Sequence, residues 1–145
     1  QLMLLKNNKL KFFKSFANKK NIKNKINKKI FNKNANFSVL AAESGTLTQF
    51  QVETARRLLH RLLKKKAYFF NFILLNTPVT KKPNETRLGR GKGSTKYWSA
   101  QINKGDLLFE IYTLDLRLLT LLLTILKSKI PISCSFAVKH LRWTY

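Results

Sequence analysis

The segment from Lys81 to Lys96 (KKPNETRLGRGKGSTK) combines glycines with clustered cations. Its basic residues, set against the single acid Glu85, are Lys81, Lys82, Arg87, Arg90, Lys92 and Lys96. Its glycines stand at alternate positions, Gly89, Gly91 and Gly93. A glycine has no Cβ, so a ligand can approach the backbone N–H donors, and neighbouring cations attract anions. The pattern therefore predicts a loop that binds phosphate groups.

Two nucleotide-binding motifs have similar glycines but a different context. In a P-loop the lysine is followed by serine or threonine, whereas Lys92 is followed by Gly93 and no helix opens directly afterwards. The segment does not match a dinucleotide-binding turn either. A merely flexible loop would account for the glycines but not for the clustered cations. We therefore interpret the segment as a contact to a phosphate backbone.

A second cationic element is predicted from Thr48 onward. Thr48 and Gln51 have the spacing of a capping box, in which each side chain satisfies the backbone N–H of the other. Helical periodicity places on one side the apolar residues Val52, Ala55, Leu58, Leu59, Leu62 and Leu63. The opposite side carries His60 and five cations that we call the helix stripe: Arg56, Arg57, Arg61, Lys64 and Lys65. One face of the helix should pack and the stripe should face outward.

The composition excludes some classes of protein to which this chain could belong. The chain has 145 residues, enough for one domain and a tail, and its 29 Lys and Arg against six acids give a net charge of +23. Such a charge opposes compaction and requires a polyanionic partner. A hydrophobic fraction of 44% nevertheless predicts a core. A soluble metabolic enzyme and a disordered basic tail are both disfavoured.

Cysteine and histidine are too few for a disulfide scaffold or a metal site. Cys134 stands alone, and with His60 and His140 as the other candidate ligands it cannot complete a zinc site. The longest uncharged apolar run, Leu118 to Leu126, is far shorter than the roughly 20 residues of a bilayer span. We predict no catalytic residue, no metal, no cofactor and no membrane span.

The remaining segments predict one α+β domain with an extension at each end. Residues 1–36 form an arm rich in lysine and asparagine and free of acids, which we expect to be retained and held by a partner. Residues 37–139 form the domain and residues 140–145 a short tail. After the first helix we expect a buried strand (67–75), a β-hairpin (97–102 and 107–112), a second helix (114–127) and a last strand (132–138).

Several pieces of the chain, in their order and spacing, carry a family resemblance. They are Ser44–Thr48 (SGTLT), Val52–Arg57 (VETARR), Thr77–Pro83 (TPVTKKP), Arg87–Gly93 (RLGRGKG), Tyr97–Trp98, Lys104–Gly105 and Lys129–Ile132 (KIPI). Together they resemble the family of the bacterial-type large-subunit ribosomal protein numbered sixteen. The arm departs from that family's pattern, which is shorter there and richer in arginine and glycine.

The resemblance implies an α/β-hammerhead fold and a structural role in the large ribosomal subunit. The chain would bind rRNA and help to shape the aminoacyl-tRNA (A) site, with A-site tRNA and neighbouring large-subunit proteins as further partners. The rRNA contacts would come from Arg56, Arg57, Arg61, Lys64, Lys65, Lys81, Lys82 and Lys96. The loop closest to tRNA and the peptidyl transferase region would consist of Arg87, Gly89, Arg90, Gly91, Lys92 and Gly93.

The resemblance also bears on the compartment. The chain uses lysine, asparagine, isoleucine and phenylalanine where relatives use arginine, glycine, alanine and valine, which suggests an AT-rich gene. We therefore expect a mitochondrial protein, with a plastid or an AT-rich bacterium as the alternatives.

Two other classes of function compete with the ribosomal one. A basic nuclease could use His60 and His140 as an acid/base pair, although His60 lies among cations and His140 in the tail. A DNA-binding or membrane-surface protein of the organelle could use the arm and the amphipathic helix on duplex or anionic lipid. Sedimentation with large ribosomal subunits would separate both from the ribosomal role.

Overall fold

Two helices and seven strands make up the part of the chain that the structure describes. A computed structural model describes residue 14 and residues 37–64, 67–89, 91–113 and 116–138. The elements are β1 (Phe37–Ala41), β2 (Gly45–Thr48), α1 (Gln49–Leu63), β3 (Tyr68–Asn71), β4 (Thr77–Lys81), β5 (Ser94–Ile102), β6 (Leu107–Tyr112), α2 (Leu116–Lys129) and β7 (Cys134–Val138). The predicted α+β class with two helices is confirmed.

The strands form two antiparallel sheets that share a bent, two-stranded ribbon. One sheet has the order β3-β6-β1-β7 and the other the order β2-β5-β4. In the first sheet Leu40 of β1 lies opposite Leu107 of β6, and in the second Gly45 of β2 lies opposite Ile102 of β5. Because β1 leads into β2 and β5 leads into β6, the same two chain segments pass through both sheets and bend between them.

The hairpin predicted from β5 and β6 is wrong, because these strands lie in different sheets. The turn at residues 103–106 lies where the sequence places it, but it bonds to the end of β1. The N–H of Gly105 donates to the carbonyl of Ala41 at 2.7 Å, and the N–H of Ala41 donates to the carbonyl of Asp106 at 2.9 Å. These bonds hold the corner between the sheets. The strands that pair directly across a loop are β4 and β5, and that loop contains the alternate glycines.

The predicted buried strand at residues 67–75 is also partly wrong. Strand β3 spans only Tyr68–Asn71, and the side chain of Tyr68 is 77% exposed. The strand ends where the side chain of Asn71 accepts a hydrogen bond from the N–H of Ile73 at 2.9 Å. Because β3 is an edge strand, Tyr68 and Phe70 project from the sheet, where Phe70 packs edge-on against Tyr112. The buried apolar residues of this segment lie on either side of the strand instead, at Ala67 before it and at Ile73 and Leu75 after it.

Helix α1 forms as its sequence predicts and places Arg57, Arg61 and Lys64 of the helix stripe at the surface. Thr48 caps it: the N–H of Thr48 donates to Gln51 Oε1 at 2.9 Å, and the N–H of Gln51 donates to Thr48 Oγ1 at 3.4 Å. Four of its predicted apolar residues, Val52, Ala55, Leu59 and Leu63, are at most 1% exposed. The helix contacts α2 and strands β2, β3 and β5. Because the apolar face packs against the core, the opposite, polar face of α1 points away from it.

The last two elements lie close to their predicted positions. Helix α2 spans Leu116–Lys129 and ends two residues later than the periodicity suggests; residues 114 and 115 lie outside the described ranges, so the predicted start at residue 114 stays a prediction. Strand β7 begins two residues later than predicted, at Cys134. Leu122 and Leu126 of α2 join the core. Pro131 follows the helix closely, as expected for a residue that cannot continue it.

Candidate nucleic-acid interface

The helix stripe is exposed along most of its length. Arg57, Arg61 and Lys64 lie at the surface, and His60 lies among them. Arg56 is half-buried, so only part of its guanidinium faces outward. Lys65, the fifth member, lies outside the described residues. The stripe therefore presents at least three fully exposed cations, beside a helix face that is fixed by the core.

A carboxylate that the sequence analysis did not single out lies within the stripe. Glu53 Oε2 accepts from Arg56 Nε at 2.9 Å, and Glu53 Oε1 accepts from Arg56 Nη2 at 2.8 Å and from Arg57 Nε at 2.9 Å. The hydrogen bonds from Arg56 are the main reason why the pKa of the Glu53 carboxyl falls from 4.5 to about 2. The same contact raises the pKa of Arg56. One acid thus orients two of the predicted RNA-binding arginines.

The glycine loop, residues 82–93, connects β4 to β5, and its glycines do two different things. Gly89 and Gly91 have φ angles of +93° and +71°, and a Cβ on either would meet no atom within 4 Å. A Cβ on Gly93 would lie 2.5 Å from the carbonyl oxygen of Lys81. Position 93 therefore has to be glycine because the backbone of β4 lies too close for a Cβ, whereas the surroundings of Gly89 and Gly91 are open to a ligand.

The cations of the loop and its base are mostly exposed. Arg87, Lys81, Lys82 and Lys96 lie at the surface, whereas Lys92 is half-buried. Arg90 lies outside the described residues. Lys14 is the one residue before Phe37 that the structure describes, and its Nζ donates to the carbonyl of Lys92 at 3.1 Å. The basic arm therefore contacts the glycine loop, an arrangement that the sequence did not predict.

An aromatic pair links the first turn of α1 to strand β5. The rings of Phe50, in the first turn of α1, and Tyr97, next to Lys96 on β5, have centroids 5.9 Å apart. Phe50 is exposed and Tyr97 is half-buried. Aromatic faces next to cations are suited to stacking against unpaired bases. Neither residue belongs to the site that the sequence predicts.

Other kinds of site find no support in the part of the chain that is described. Within residue 14 and the four described ranges, no three side chains of histidine, cysteine, aspartate or glutamate come together as metal ligands. Neither of the helices in these ranges is long and apolar enough to cross a membrane. His140, the proposed partner of His60 in a nuclease, lies outside the described residues.

A known protein family matches the part of the chain that carries this surface. The family model described as "Ribosomal protein L16p/L10e" matches residues 6–137. The chain belongs to this ribosomal protein family. The match begins within the arm and runs through the helix stripe and the glycine loop, so it covers most of the residues discussed above. The boundary at residue 36 between arm and domain stays a prediction.

A curated relative of the family agrees with this assignment. The chain is 35% identical over 103 residues to the large ribosomal subunit protein uL16 of Wigglesworthia glossinidia brevipalpis, a match that covers 71% of this chain and 76% of the relative. The chain is accordingly a structural constituent of the large ribosomal subunit and not an enzyme. Ribosomal RNA and other ribosomal proteins are the partners that this membership implies.

Proposed function

We propose that the helix stripe binds large-subunit rRNA, and that the glycine loop helps to shape the A site where aminoacyl-tRNA is accepted. The observation that supports the rRNA surface is the burial of α1. Four residues of its apolar face, Val52, Ala55, Leu59 and Leu63, are at most 1% exposed, and this packing leaves Arg57, Arg61 and Lys64 at the surface of the described domain, where a partner can reach them. A net charge of +23 makes that partner a polyanion.

The work of the stripe is electrostatic. Each arginine or lysine that neutralises a phosphate releases condensed counterions, so affinity falls as salt rises. Contacts of this kind fix the register and orientation of an RNA-binding protein without reading sequence. A domain whose packed helix presents cations in fixed positions can therefore hold neighbouring rRNA segments in one arrangement.

The glycine loop supports the proposal for tRNA by its shape and charge. Leu88, within it, is 98% exposed, so the loop projects from the domain. Arg87 is exposed beside it, and the absence of a side chain at Gly89 and Gly91 leaves room for a phosphate backbone. An arginine can bind phosphate through two N–H groups at once. We assign the tRNA contact to Arg87, Arg90 and Lys92 on these grounds and on the family's role.

We further propose a mitochondrial location, on the basis of the amino-acid usage alone. The frequent lysine, asparagine, isoleucine and phenylalanine are typical of an AT-rich gene. The test is fractionation of the source cells, followed by detection of the chain with an antibody. Recovery with mitochondrial large subunits supports the proposal, and recovery with plastid or cytoplasmic ribosomes contradicts it.

The rRNA surface is tested by removing the exposed stripe. A variant with Arg57→Ala, Arg61→Ala and Lys64→Ala should bind a large-subunit rRNA transcript less tightly, and the slope of log affinity against log salt should fall by about 0.7 to 0.9 for each lost phosphate contact. The matched control removes three exposed lysines elsewhere, with Lys104→Ala, Lys127→Ala and Lys129→Ala.

The two variants separate a defined surface from a general effect of charge. Both lose three positive charges, so equal weakening in both would show that the net charge, and not the helix stripe, binds the RNA. Binding of duplex DNA or anionic vesicles in preference to the transcript would favour the competing DNA-binding or membrane-surface function.

A further inference from the structure

Three hydrogen bonds hold the negative charge of Glu53 at the N-terminal end of a surface that should bind a polyanion. A surface selected only for affinity to phosphate would gain by losing this acid, because a carboxylate repels phosphate. Glu53 is 22% exposed, so it is neither buried in the core nor freely solvated. Its retention in the stripe, between Arg56 and Arg57, calls for a reason other than attraction.

We propose that Glu53 is a positioning residue, which holds the guanidinium groups of Arg56 and Arg57 in the orientation that rRNA requires. The inference rests on the proposed function, since it assumes that the stripe binds rRNA. It assigns to Glu53 no contact with the RNA itself. Its effect is transmitted through the two arginines.

The geometry supports orientation as the role of Glu53. Arg56 is held through Nε and Nη2 together, which fixes the plane of its guanidinium, and Arg57 is held through Nε. Glu53 thus engages one edge of Arg56 and leaves Nη1, while on Arg57 it leaves both Nη1 and Nη2. These groups can still donate to phosphate oxygens, in directions that the carboxylate has already set.

The energetic gain comes from order that exists before binding. A free arginine side chain loses rotamer entropy when it is fixed. Arg57 is 73% exposed and would otherwise sample many rotamers. An ion pair three or four residues along a helix, with the acid on the N-terminal side, has the favourable orientation for fixing it. The carboxylate weakens the general attraction of the stripe for phosphate, but it fixes the orientation in which the two arginines meet the RNA.

A purely structural role would have a different signature. If Glu53 only stabilised α1, replacing it would lower helix stability and leave the preference for rRNA over other RNA unchanged. If it positions the arginines, binding to rRNA and binding to an unstructured RNA should change in opposite directions. The two roles can therefore be told apart by the sign of one comparison.

The experiment measures binding of the full chain to a large-subunit rRNA transcript and to poly(U), at several salt concentrations. Glu53→Gln keeps the size of the side chain and adds one net positive charge. Its matched control is Glu85→Gln, which makes the same charge change at an exposed carboxylate in the glycine loop. Glu85 has no ion pair among the described residues.

We expect Glu85→Gln to tighten binding to both RNAs by about twofold, through charge alone. Glu53→Gln should tighten binding to poly(U) similarly but weaken binding to the rRNA transcript by roughly three- to tenfold. Tightening of both RNAs by Glu53→Gln, to the same degree as by Glu85→Gln, would overturn the inference. Equal affinity of the unaltered chain for the two RNAs would instead contradict the proposed function, and this inference with it.

A double-mutant cycle separates an effect of Glu53 on the arginines from an effect on folding. In a background of Arg56→Lys and Arg57→Lys the positive charges remain but the planar guanidinium groups are gone. There Glu53→Gln should no longer weaken rRNA binding. The same loss of rRNA affinity in both backgrounds would show that Glu53 acts through the fold and not through the arginines, which overturns the inference. Circular dichroism of each variant records the helix content.

Discussion

The helix stripe and the glycine loop carry the same kind of charge on two different supports. The stripe stands on α1, whose other face is sealed into the core by Val52, Ala55, Leu59 and Leu63. The loop projects between β4 and β5, and its path depends on the backbone freedom of Gly89 and Gly91. Packing fixes the direction of the stripe, whereas local conformation fixes the loop. The stripe therefore suits a permanent RNA partner, and the loop suits one that is exchanged.

The acidic residues of the two regions also differ in how firmly they are held. Glu53 in the stripe bonds to two arginines, whereas Glu85 in the loop is exposed and has no ion pair among the described residues. Two cations of the stripe, Arg56 and Arg57, are thus held both by the helix and by a carboxylate. Equal charge in two regions does not imply equal order, and order decides how much entropy binding must remove.

The largest effect is expected for Gly93→Ala, because this glycine anchors the base of the loop. Its Cβ would lie 2.5 to 2.7 Å from the backbone of Lys81 and Lys82, which cannot move away as a flexible side chain could. We expect a loss of about 3 kcal/mol in the free energy of unfolding, at the upper end of overpacking costs. Urea unfolding in sulfate buffer, which screens the charge, measures it.

The matched control for this prediction is Gly89→Ala in the same loop. Its Cβ meets open space, and the cost comes from a φ of +93° alone, so we expect about 1 to 2 kcal/mol. A larger loss from Gly89→Ala than from Gly93→Ala would show that backbone conformation, and not contact with β4, determines the shape of the loop base.

A second prediction concerns Lys64, where stability and binding should separate. This lysine closes α1 with φ +45° and ψ −122°, a conformation that side chains with a Cβ rarely adopt, and its N–H donates to the carbonyl of His60. Lys64→Gly should raise the free energy of unfolding by about 1.5 kcal/mol through relief of strain. It should also weaken rRNA binding, because the stripe loses an exposed cation.

The control is Lys64→Ala, which removes the same charge but keeps the strained backbone. Both variants should lose rRNA affinity equally in a filter-binding assay, and only Lys64→Gly should gain stability. If neither variant changes rRNA affinity, the stripe ends before Lys64, at Arg61.

The sequence predicts the helix stripe well because its signals are local. The capping residues Thr48 and Gln51 are three positions apart, and the two faces of α1 follow from a period of 3.6 residues. The same spacing contains the signal for Glu53, which lies three and four residues before Arg56 and Arg57. This part of the site could have been found from the sequence.

The other features depend on contacts between distant residues, which alternation of residue types does not specify. Strands β5 and β6 look like a hairpin, but the partners of β6 are β1 and β3, and the choice is made by pairing across the sheet. The exposure of Tyr68 follows from the edge position of β3, which only the sheet order reveals. The contact of Lys14 with Lys92 spans 78 residues and has no local signature.

A third prediction tests the proposal that the loop, unlike the stripe, contacts a partner that is exchanged. Arg87→Lys keeps the charge of the loop but loses bidentate binding of phosphate, so reconstituted large subunits should bind aminoacyl-tRNA about fivefold more weakly, or roughly 1 kcal/mol. Thermal stability of the chain should not change, since Arg87 is exposed. Arg61→Lys in the stripe is the control, and it should affect rRNA binding without a direct effect on tRNA. Equal loss of stability and tRNA binding in Arg87→Lys would identify the loop as structural.

The smallest effect we predict is the acid dependence of the ion pairs in the stripe. Folding lowers the pKa of Glu53 from 4.5 to about 2, so its contribution to stability is complete above pH 4.5 and is lost as the pH falls toward 2. Because the pair lies near the surface, solvent screening limits the contribution to about 0.5 kcal/mol. The difference in unfolding free energy between the unaltered chain and Glu53→Gln should therefore be constant from pH 7 to 5 and shrink below pH 4.5. Urea unfolding of both chains across this range measures it. A difference that stays unchanged down to pH 3 would mean that folding does not lower the pKa of Glu53, and that the arginines hold its carboxylate less firmly than its three hydrogen bonds indicate.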